Sequence, residues 1–439
     1  MKFRLFSLLI LIGPFGFTQS STDLDQVVAK SLRFIENNQN STESSIYWKG
    51  EWPVQMRSYF LLPLLGVGKL WAQPVDEPTA FATASIANLL SETYLAERKY
   101  FQIPQMLDKA MKSTDHYKQG DLYNYYNLIN WHGVQVRGPK SSHYVPKYIE
   151  GLTTVPADAD TTSATYMAKA YYQHISEGLR LSQYKLPAEV LETFDRYRDV
   201  NRTSHYYNWL DSITATGAVM TWFVDENTMP KGIFKKPPAG PRIPFGFNDV
   251  DCVVNANVLR LLAATKNNSH PAFQKSCDLL NFVILKEKQA QCGIYYPNSY
   301  AVFFSISNSY KAGATCLKDS KEKALDFIVS SQNEDGSWLN EPGIGRTDTV
   351  QSTALALNAL MNYTEMDSLH YSTQIRRGVD FLLKQLKQKN NEEIYWPGEV
   401  FFSAVAQARN TVLWRSDSYT TSLVTLALVK SQKYLGAGL

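Results

Sequence analysis

The sequence has few of the residues that bind metals. Its 439 residues include only four cysteines and seven histidines. It contains no Cys-x-x-Cys pair and no His-x-x-x-His spacing, although protein zinc sites usually rely on such pairs. We therefore expect neither a bound transition metal nor another cofactor.

An excess of charge of one sign is also absent. Basic side chains number 44 and acidic side chains 41, which leaves a net charge of +3. Nucleic-acid binding usually needs a strongly basic surface, so this balance gives no reason to expect a nucleic-acid partner. The Gly-x-Ser-x-Gly turn of serine hydrolases is missing as well, which disfavours that class of enzyme.

Long hydrophobic runs are missing after the first residues of the chain. Residues 1–18 carry Lys2 and Arg4, then an apolar run over 5–12 and a Gly-Pro breaker, which is the pattern of a secretory signal peptide. No later segment reaches about 18 apolar residues, the length that spans a bilayer. We expect a secreted protein, or one in the secretory pathway or periplasm, whose mature part, residues 19–439, has no stable membrane span.

Two further features fit export. The cysteines form an even set within one region of the chain, so up to two disulfides are allowed, in any of three pairings. These cysteines are Cys252, Cys277, Cys292 and Cys316. Four Asn-x-Ser/Thr triplets would suit a glycoprotein. They begin at Asn40, Asn201, Asn267 and Asn362.

One acid-led motif recurs along the chain. Asp158-Ala159-Asp160-Thr161-Thr162 precedes a segment rich in apolar and small residues, as a buried helix would be. Only this copy has Asp-x-Asp followed by two threonines. The same kind of helix start returns at three further aspartates, namely Asp251, Asp348 and Asp417.

A phenylalanine motif repeats just as clearly, near the end of a helix-like segment each time. Its copies are residues 32–35, 280–283, 325–328 and 379–382, and the aromatic residues that follow them in loops are Trp48, Tyr296, Trp338 and Trp396. Two copies also share a Phe-Phe-Ser tripeptide, at 303–305 and 401–403. An outer helix, an aromatic loop and an inner helix therefore repeat, and strand signals are scarce. Five to six such hairpins predict an all-α, single-domain (α/α) toroid.

The repeated aspartates allow two interpretations. Each carboxylate could cap its helix by accepting backbone N–H bonds, or the first copy could be an acid site facing a cavity at the end where the inner helices begin. Two arginines lie two residues before an acid and could hold an anion or form salt bridges. Asn255 and Asn257 interrupt an apolar helix, where they could face the cavity or form structural hydrogen bonds. The candidate substrate-binding residues are Asp251, Asn255, Arg346, Asp348, Arg415 and Asp417.

Residues 332–338, Gln-Asn-Glu-Asp-Gly-Ser-Trp, resemble the QW repeat of squalene and hopene cyclases and their prenyltransferase relatives. In that family the glutamine caps a neighbouring helix and the tryptophan stacks on it. Gln39 with Trp48 is similar to a degenerate copy. The resemblance implies a ring of helical hairpins.

The motif at 158–162 resembles the Asp-x-Asp-Asp/Thr-Thr acid motif of class II terpenoid cyclases. By that resemblance Asp160 is the acid that protonates an alkene or epoxide. Asp158 would hold Asp160 in geometry, and Thr161 and Thr162 would support it by hydrogen bonds. A carboxyl group within an apolar wall resists ionisation and can keep its proton at neutral pH.

The resemblance implies a class II cyclase-like enzyme that starts cyclisation or isomerisation of an isoprenoid, a small hydrophobic substrate, by protonation. No Asp-Asp-x-x-Asp run supports ionisation of a diphosphate. Two other classes remain open on the same ring: a secreted, non-catalytic small-molecule carrier, and a polysaccharide lyase or hydrolase. The sequence leaves the substrate and the oligomeric state open.

Overall fold

The structure is a computed structural model that describes residues 21–58, 74–131, 133–140, 155–200, 215–225, 243, 248–340, 348–367, 371–404 and 412–435. Helices dominate these ranges. They are α1 (Ser21–Asn37), α2 (Ala80–Ala96), α3 (Gln102–Thr114), α4 (Ala159–Glu177), α5 (Ala188–Arg196), α6 (Cys252–Ala264), α7 (Pro271–Leu285), α8 (Gln289–Cys292), α9 (Tyr300–Lys311), α10 (Lys318–Ser330), α11 (Thr349–Asp367), α12 (Ser372–Lys384) and α13 (Asp417–Leu435).

Six of these helices form a closed inner ring. Each packs against the next in the order α2, α4, α6, α9, α11, α13, and α13 returns to α2. Outer helices cover this ring, for example α1 on α13, α3 on α2 and α4, α7 on α6, and α12 on α11 and α13. The predicted (α/α) toroid is confirmed, with six inner helices.

Burial separates the inner helices from the outer ones. Helix α2 is buried on all sides over residues 80–84 and 86–93, where alanine, serine and threonine let neighbouring helices approach closely. Helix α3 instead buries one stripe with helical spacing, Ile103, Met106, Leu107 and Ala110. A helix with a single apolar stripe packs on one side only, so α3 belongs to the outer layer.

Short strands join the beginning and the end of the chain. They are β1 (Gln55–Ser58), β2 (Val75–Asp76), β3 (Lys118–Gln119), β4 (Leu122–Tyr123), β5 (Leu128–Trp131), β6 (Val134–Arg137), β7 (Lys387–Gln388), β8 (Ile394–Tyr395), β9 (Val400–Ala404) and β10 (Val412–Arg415). One antiparallel sheet has the order β2-β1-β10-β9, with Gln55 opposite Arg415. The other strands form two-stranded hairpins.

The phenylalanine motif has a structural role that the sequence only hinted at. The indole Nε1 of Trp338 donates to the Ile328 carbonyl at 2.7 Å, at the end of that motif. Trp396 makes the same bond to Leu382 at 2.7 Å. In the first copy the donor is Trp52, to Ile35 at 2.8 Å, so the predicted partner Trp48 is wrong. Each tryptophan is fully buried and ties the loop to the outer helix before it.

The glutamines of the QW-like repeats each bridge to a neighbouring outer helix by donating to one of its backbone carbonyls. Gln332 donates to the Gln374 carbonyl in α12 at 2.9 Å. Gln39 donates to the Met106 carbonyl in α3, also at 2.9 Å. Two hairpins far apart in sequence are therefore connected in the same way.

Two disulfides resolve the pairing that the sequence left open. They join Cys252 to Cys292 and Cys277 to Cys316, with Cα separations of 5.4 and 6.0 Å. Both distances suit disulfide geometry. The bridges lie in the hairpin whose loop carries Tyr296 in place of a tryptophan.

The export features are only partly within the described residues. Residues 1–18 and Asn201 lie outside them. Asn362 is fully buried and donates to Ser307 and Asn308, so a glycan at this predicted acceptor is excluded. Asn40 and Asn267 are half-buried. None of the helices in the described ranges is long and apolar enough to cross a membrane.

Candidate active site

The two aspartates of the acid motif have different structural roles. Asp158 is the N-cap of α4, where its Oδ1 accepts the Thr161 N–H at 2.6 Å. Asp160 is the second residue of the helix. Two residues rotate a helix by about 200°, so Asp160 points away from the cap and into the ring. In this copy of the motif, therefore, Asp158 and not Asp160 caps the helix.

Both carboxylate oxygens of Asp160 accept hydrogen bonds from other elements of the ring. The Asn257 amide in α6 donates to Oδ1 at 2.7 Å, and the Tyr296 hydroxyl donates to Oδ2. Asp160 is only 4% exposed. The acid is therefore held between α4, α6 and the loop before α9.

Burial controls the protonation of this pair of acids. It raises the pKa of Asp160 to about 7, while the bonds from Tyr296 and Asn257 pull the pKa down and the charge of Asp251 pushes it up. Burial likewise raises the pKa of Asp158 to about 8, against its bond from Thr161 and with the charge of Asp160 adding to the rise. At neutral pH a substantial share of Asp160 keeps its proton.

The two threonines of the motif do not contact Asp160. The Thr162 hydroxyl exchanges hydrogen bonds with the backbone of Tyr123, accepting from its N–H at 3.1 Å. The Thr161 hydroxyl is buried and has no hydrogen-bond partner within the described ranges. Thr162 thus fixes the start of α4 to β4 and supports the acid indirectly.

Asp251 holds the loop that carries Tyr296. It caps α6 by accepting the N–H groups of Val253 and Val254 at 2.6 and 3.1 Å, and its other oxygen accepts the Tyr295 N–H at 3.0 Å. Burial raises the pKa of Asp251 to about 6. With both oxygens occupied by backbone groups, Asp251 positions Tyr296 and has little left with which to bind a ligand.

A second buried carboxylate fixes the same loop. Asp249 accepts the Tyr295 hydroxyl at 2.6 Å and the Thr221 hydroxyl at 2.5 Å. The indole of Trp222 donates to the Tyr295 oxygen at 2.8 Å. Tyr295 therefore cannot rotate without breaking several buried bonds, and the neighbouring Tyr296 is held towards Asp160.

The space in front of the acid is a small chamber within the ring, about 60 Å³ in volume. Its apolar and aromatic lining includes Phe81, Leu89, Met167, Phe304, Leu355 and Tyr419, and polar side chains complete the wall. Asn257 and Tyr296, which donate to Asp160, also line it. Asp160 is therefore connected to this chamber through its two hydrogen-bond donors.

A second, larger cavity of about 700 Å³ lies beyond this chamber. Glu92, Arg260 and Asn308 line both spaces, and Arg260 donates to Glu92 at 2.5 Å. The larger cavity is formed by the C-terminal halves of the inner helices. The sequence predicted a cavity where these helices begin. The acid is there, but the larger space is at the opposite end.

The remaining predicted binding residues are not gathered around Asp160. Asn255 is fully buried and bonds to the Val219 backbone and to Ser276, a structural role. Asp348 accepts the Val400 N–H at 3.0 Å. Arg415 and Asp417 are exposed and line a separate cavity of about 330 Å³ beside β1. Arg346 lies outside the described residues.

Three residues at the acid were not among the predicted site residues: Asn257, Tyr296 and Tyr419. The repeat pattern marked Tyr296 as a loop aromatic, and Asn257 stood out as a polar residue in an apolar helix. Neither signal identified Asp160 as the partner. Within the described ranges no group of three or more histidine, cysteine or acidic side chains is arranged to hold a metal ion.

Comparisons with known proteins identify the fold. No protein-family model and no curated protein sequence matches the chain. The solved structure of the type II terpene cyclase MstE from Scytonema without ligand is similar, with a TM-score of 0.56 and 13% identity over 94% of this chain and 99% of that one. An MstE variant in complex with its substrate, geranylgeranyl dihydroxybenzoate, gives a TM-score of 0.54 and 15% identity over 94% and 99% of the two chains.

A sugar-acting enzyme has the same architecture. Cellobiose 2-epimerase from Bacillus thermoamylovorans matches with a TM-score of 0.53 and 10% identity over 93% of this chain and 99% of that one. Identities this low show a shared fold alone. The chain thus has the α/α-toroid fold of type II terpene cyclases, on which more than one chemistry is found.

Proposed function

We propose that this protein is a class II terpene cyclase-like enzyme in which Asp160 protonates an isoprenoid alkene or epoxide. The observation that carries the proposal is the setting of Asp160. It is a buried carboxyl group with a pKa raised to about 7, and its two hydrogen-bond donors, Tyr296 and Asn257, line a chamber with several aromatic and aliphatic side chains. The similarity in fold to MstE supports this proposal.

In the proposed step the Asp160 proton forms a C–H bond with one alkene carbon, and the π bond supplies the electron pair. The other carbon becomes a cation, which further double bonds of the substrate attack to close rings. Loss of a proton from the last cation ends the sequence. The proton gained equals the proton lost, so the reaction is an isomerisation without a co-substrate.

The partners of Asp160 suit an acid that must release its proton. Burial keeps the resting group protonated. Once the proton has left, the Tyr296 hydroxyl and the Asn257 amide stabilise the carboxylate, and hydrogen bonds to a charged group are about twice as strong as those to a neutral one. The same two donors therefore contribute more after proton transfer than before it.

The chamber wall suits the cation that follows. Phe81, Phe304 and Tyr419 line it, and aromatic faces attract cations electrostatically. Leu89, Met167 and Leu355 exclude water that would otherwise trap the cation. A polysaccharide site would instead be an open groove lined mainly by hydrogen-bonding groups, so the cluster of aromatic and aliphatic side chains in this wall favours an isoprenoid over a sugar.

A direct test is turnover by purified protein and an Asp160→Asn variant. We expect the native protein to convert squalene, its epoxide or geranylgeranyl diphosphate to cyclised or isomerised products of unchanged mass, detected by gas or liquid chromatography with mass spectrometry. Asp160→Asn should lose at least about 1,000-fold in rate, because amides do not protonate alkenes. Asp326→Asn, at an exposed position of α10, is the matched control and should retain activity.

Two results would reject the proposal: product formation by Asp160→Asn at the native rate, or conversion of oligosaccharides with none of the isoprenoids. Circular dichroism of each variant shows whether the ring is intact.

We also propose that the mature protein is exported. The signal-peptide pattern of residues 1–18 and the two disulfides support this. When the full chain is expressed in a secreting host, we expect the protein in the culture medium to begin near residue 19. Its cysteines should react with an alkylating reagent only after the disulfides have been reduced. Intact mass with and without alkylation measures both, and a cytoplasmic product with free thiols would contradict export.

A further inference from the structure

The larger cavity is rich in basic side chains. Five basic residues line it, Arg180, Arg260, Lys311, Lys430 and Lys433, against two acidic ones, Glu92 and Glu365. These residues come from α2, α6, α9, α11, α13 and the turn after α4. The basic excess is therefore built by several elements around one space.

The two acids are already paired. Glu92 accepts from Arg260 at 2.5 Å. Glu365 lies 2.8 Å from the Lys311 ammonium and 3.7 Å from that of Lys433. Each acid therefore already has a basic partner in the cavity lining.

Lys430 is a buried cation of this cavity that has no such partner among the described residues. It is only 8% exposed, and its Nζ donates to the Asn362 carbonyl oxygen, a neutral acceptor. No acid of the described ranges forms an ion pair with it. A buried ammonium is costly unless a negative charge compensates it, so Lys430 is the group of this cavity that would gain most from an anion.

The charged and titratable groups facing Lys430 agree with this. The pKa of Lys430 is lowered to about 7. Burial is the main cause and the positive charges of Lys311 and Arg260 act in the same direction, while Glu92 and Glu365 act against them. Tyr171 and His174 of α4, with Lys433 and Tyr434 of its own helix, line the same cavity. The partial negative charge of the helix C-termini offsets part of the basic excess.

We propose that this cavity binds an anionic group, phosphate or carboxylate, with Lys430 as its main contact and Lys311 and Arg260 beside it. The proposal rests on the proposed function in one respect: the anion is then the head group of the substrate, and its isoprenoid tail extends past Arg260 towards Asp160. Such binding would fix which end of the chain meets the acid.

Anion binding can be measured without turnover. Inorganic pyrophosphate and benzoate, titrated separately into the full-length protein at pH 7 in a calorimeter, distinguish a phosphate from a carboxylate ligand. We expect at least one to bind with a Kd of about 1 mM or tighter. Lys430→Met should weaken that binding at least tenfold. Lys430→Arg should largely keep it, and Lys112→Gln, at a strongly exposed site on α3, should leave it unchanged.

A pH series provides a second readout on the unmodified protein. Lys430 attracts the anion only in its charged form, and its pKa is about 7 in the free protein. Benzoate affinity should therefore fall by up to about tenfold per pH unit above 7, with proton uptake on binding at pH 8. The benzoate itself stays fully ionised over this range, so its own charge does not change.

The outcomes separate the two proposals. If neither anion binds, or if Lys430→Met binds as tightly as the native protein, the anion site is wrong, whatever the acid does. If an anion binds through Lys430 but no isoprenoid is converted, the site stands and the cyclase proposal is rejected. Asp160→Asn should bind the anions normally, because Asp160 does not line this cavity.

Discussion

A difference of two residues along one helix separates the structural acid from the chemical one. Asp158 uses one oxygen to cap the first turn of α4, whereas Asp160 faces the interior and bonds only to side chains of other elements. Repetition of the aspartates favoured a capping role, and for Asp158 and Asp251 capping is what the structure shows. One aspartate is enough to cap a helix, so the second aspartate of the first copy needs another explanation.

Tyr296 should tune the acid, and its removal should be visible in the pH profile. Protonated Asp160 is the active form, so kcat/KM should fall above about pH 7, where its pKa lies. The hydroxyl of Tyr296 lowers that pKa. Tyr296→Phe should therefore move the falling limb to higher pH, while kcat drops about tenfold or more because the carboxylate formed loses a charge-assisted bond.

Tyr100→Phe is the matched control for this prediction. Its hydroxyl is also buried but has no hydrogen-bond partner among the described residues, and it lies in the turn between α2 and α3. The Tyr100→Phe variant should change neither the pH of the falling limb of the kcat/KM profile nor the value of kcat. An unshifted limb in Tyr296→Phe would show that this hydroxyl does not act on Asp160.

The sequence pointed to Asp160 but favoured the wrong asparagine as a binding residue. Asn255 and Asn257 both interrupt the apolar pattern of α6. Asn255 bonds to the Val219 backbone, while Asn257 reaches Asp160. Which of the two faces the ring interior depends on how α6 is rotated against α4, and that rotation is set by packing between segments almost 100 residues apart, which local patterns do not encode.

At the scale of elements, similar local sequences form different structures. The Phe-Phe-Ser tripeptide at 303–305 is part of α9, whereas the same tripeptide at 401–403 is part of β9. Residues 307–310, Ser-Asn-Ser-Tyr, are also similar to residues 416–419, Ser-Asp-Ser-Tyr, yet Asn308 lies late in α9 whereas Asp417 begins α13. Phe402 and Ser403 pair with β10, and such tertiary pairing overrides local preference.

The QW geometry was predictable in type but not in extent. The glutamine and tryptophan of 332–338 predicted one bridge between hairpins. The structure adds a glycine to each bridge. Gly50 and Gly336 have φ of +103° and +90°, and a Cβ on either would lie 2.1 Å from a carbonyl oxygen, of Lys109 and Arg377 respectively. The backbone itself packs against the neighbouring helix at these points.

Gly336→Ala should therefore destabilise the protein more than a left-handed backbone alone explains. Gly178, the C-cap of α4, has φ +72°, and a Cβ added there would meet nothing within 4 Å, so Gly178→Ala carries only the backbone strain of about 1 kcal/mol. We expect Gly336→Ala to cost about 2 kcal/mol more, because the clash is with rigid backbone. Urea unfolding of both variants measures the difference, and equal costs would show that the bridge can move apart.

At the scale of the whole molecule, the ring is closed by segments from the two ends of the sequence. Helix α13 packs on α1 and α2, and β10 pairs with β1. The Ser31 and Thr425 hydroxyls meet at 2.8 Å, and the Ser416 hydroxyl donates to the Pro53 carbonyl at 2.8 Å. The order of hairpins followed from the sequence repeat, but this seam did not, because its partners are separated by more than 320 residues, the nearest pair being α2, which ends at residue 96, and α13, which begins at residue 417.

The closed ring also buries several carboxyl groups whose pKa values are raised above the ordinary range. Burial raises the pKa of Glu51 and Asp160 to about 7, of Asp158 and Glu399 to about 8, and of Asp251 to about 6. Each of these groups ionises near 4 in an unfolded chain. At pH values between the unfolded and the folded pKa of these groups, the folded protein therefore binds more protons than the unfolded chain.

This proton excess should make the protein less stable at pH 7.5 than at pH 5.5. A carboxyl group with a raised folded pKa stabilises the fold below its unfolded pKa, and that contribution is lost as pH rises towards the folded value. Lys430 opposes the trend only above its pKa of about 7. We expect the free energy of unfolding, measured in urea with the disulfides intact, to fall by at least about 2 kcal/mol. Asp160→Asn should flatten this dependence, whereas equal or greater stability at pH 7.5 would mean that these carboxyl groups ionise normally in the fold.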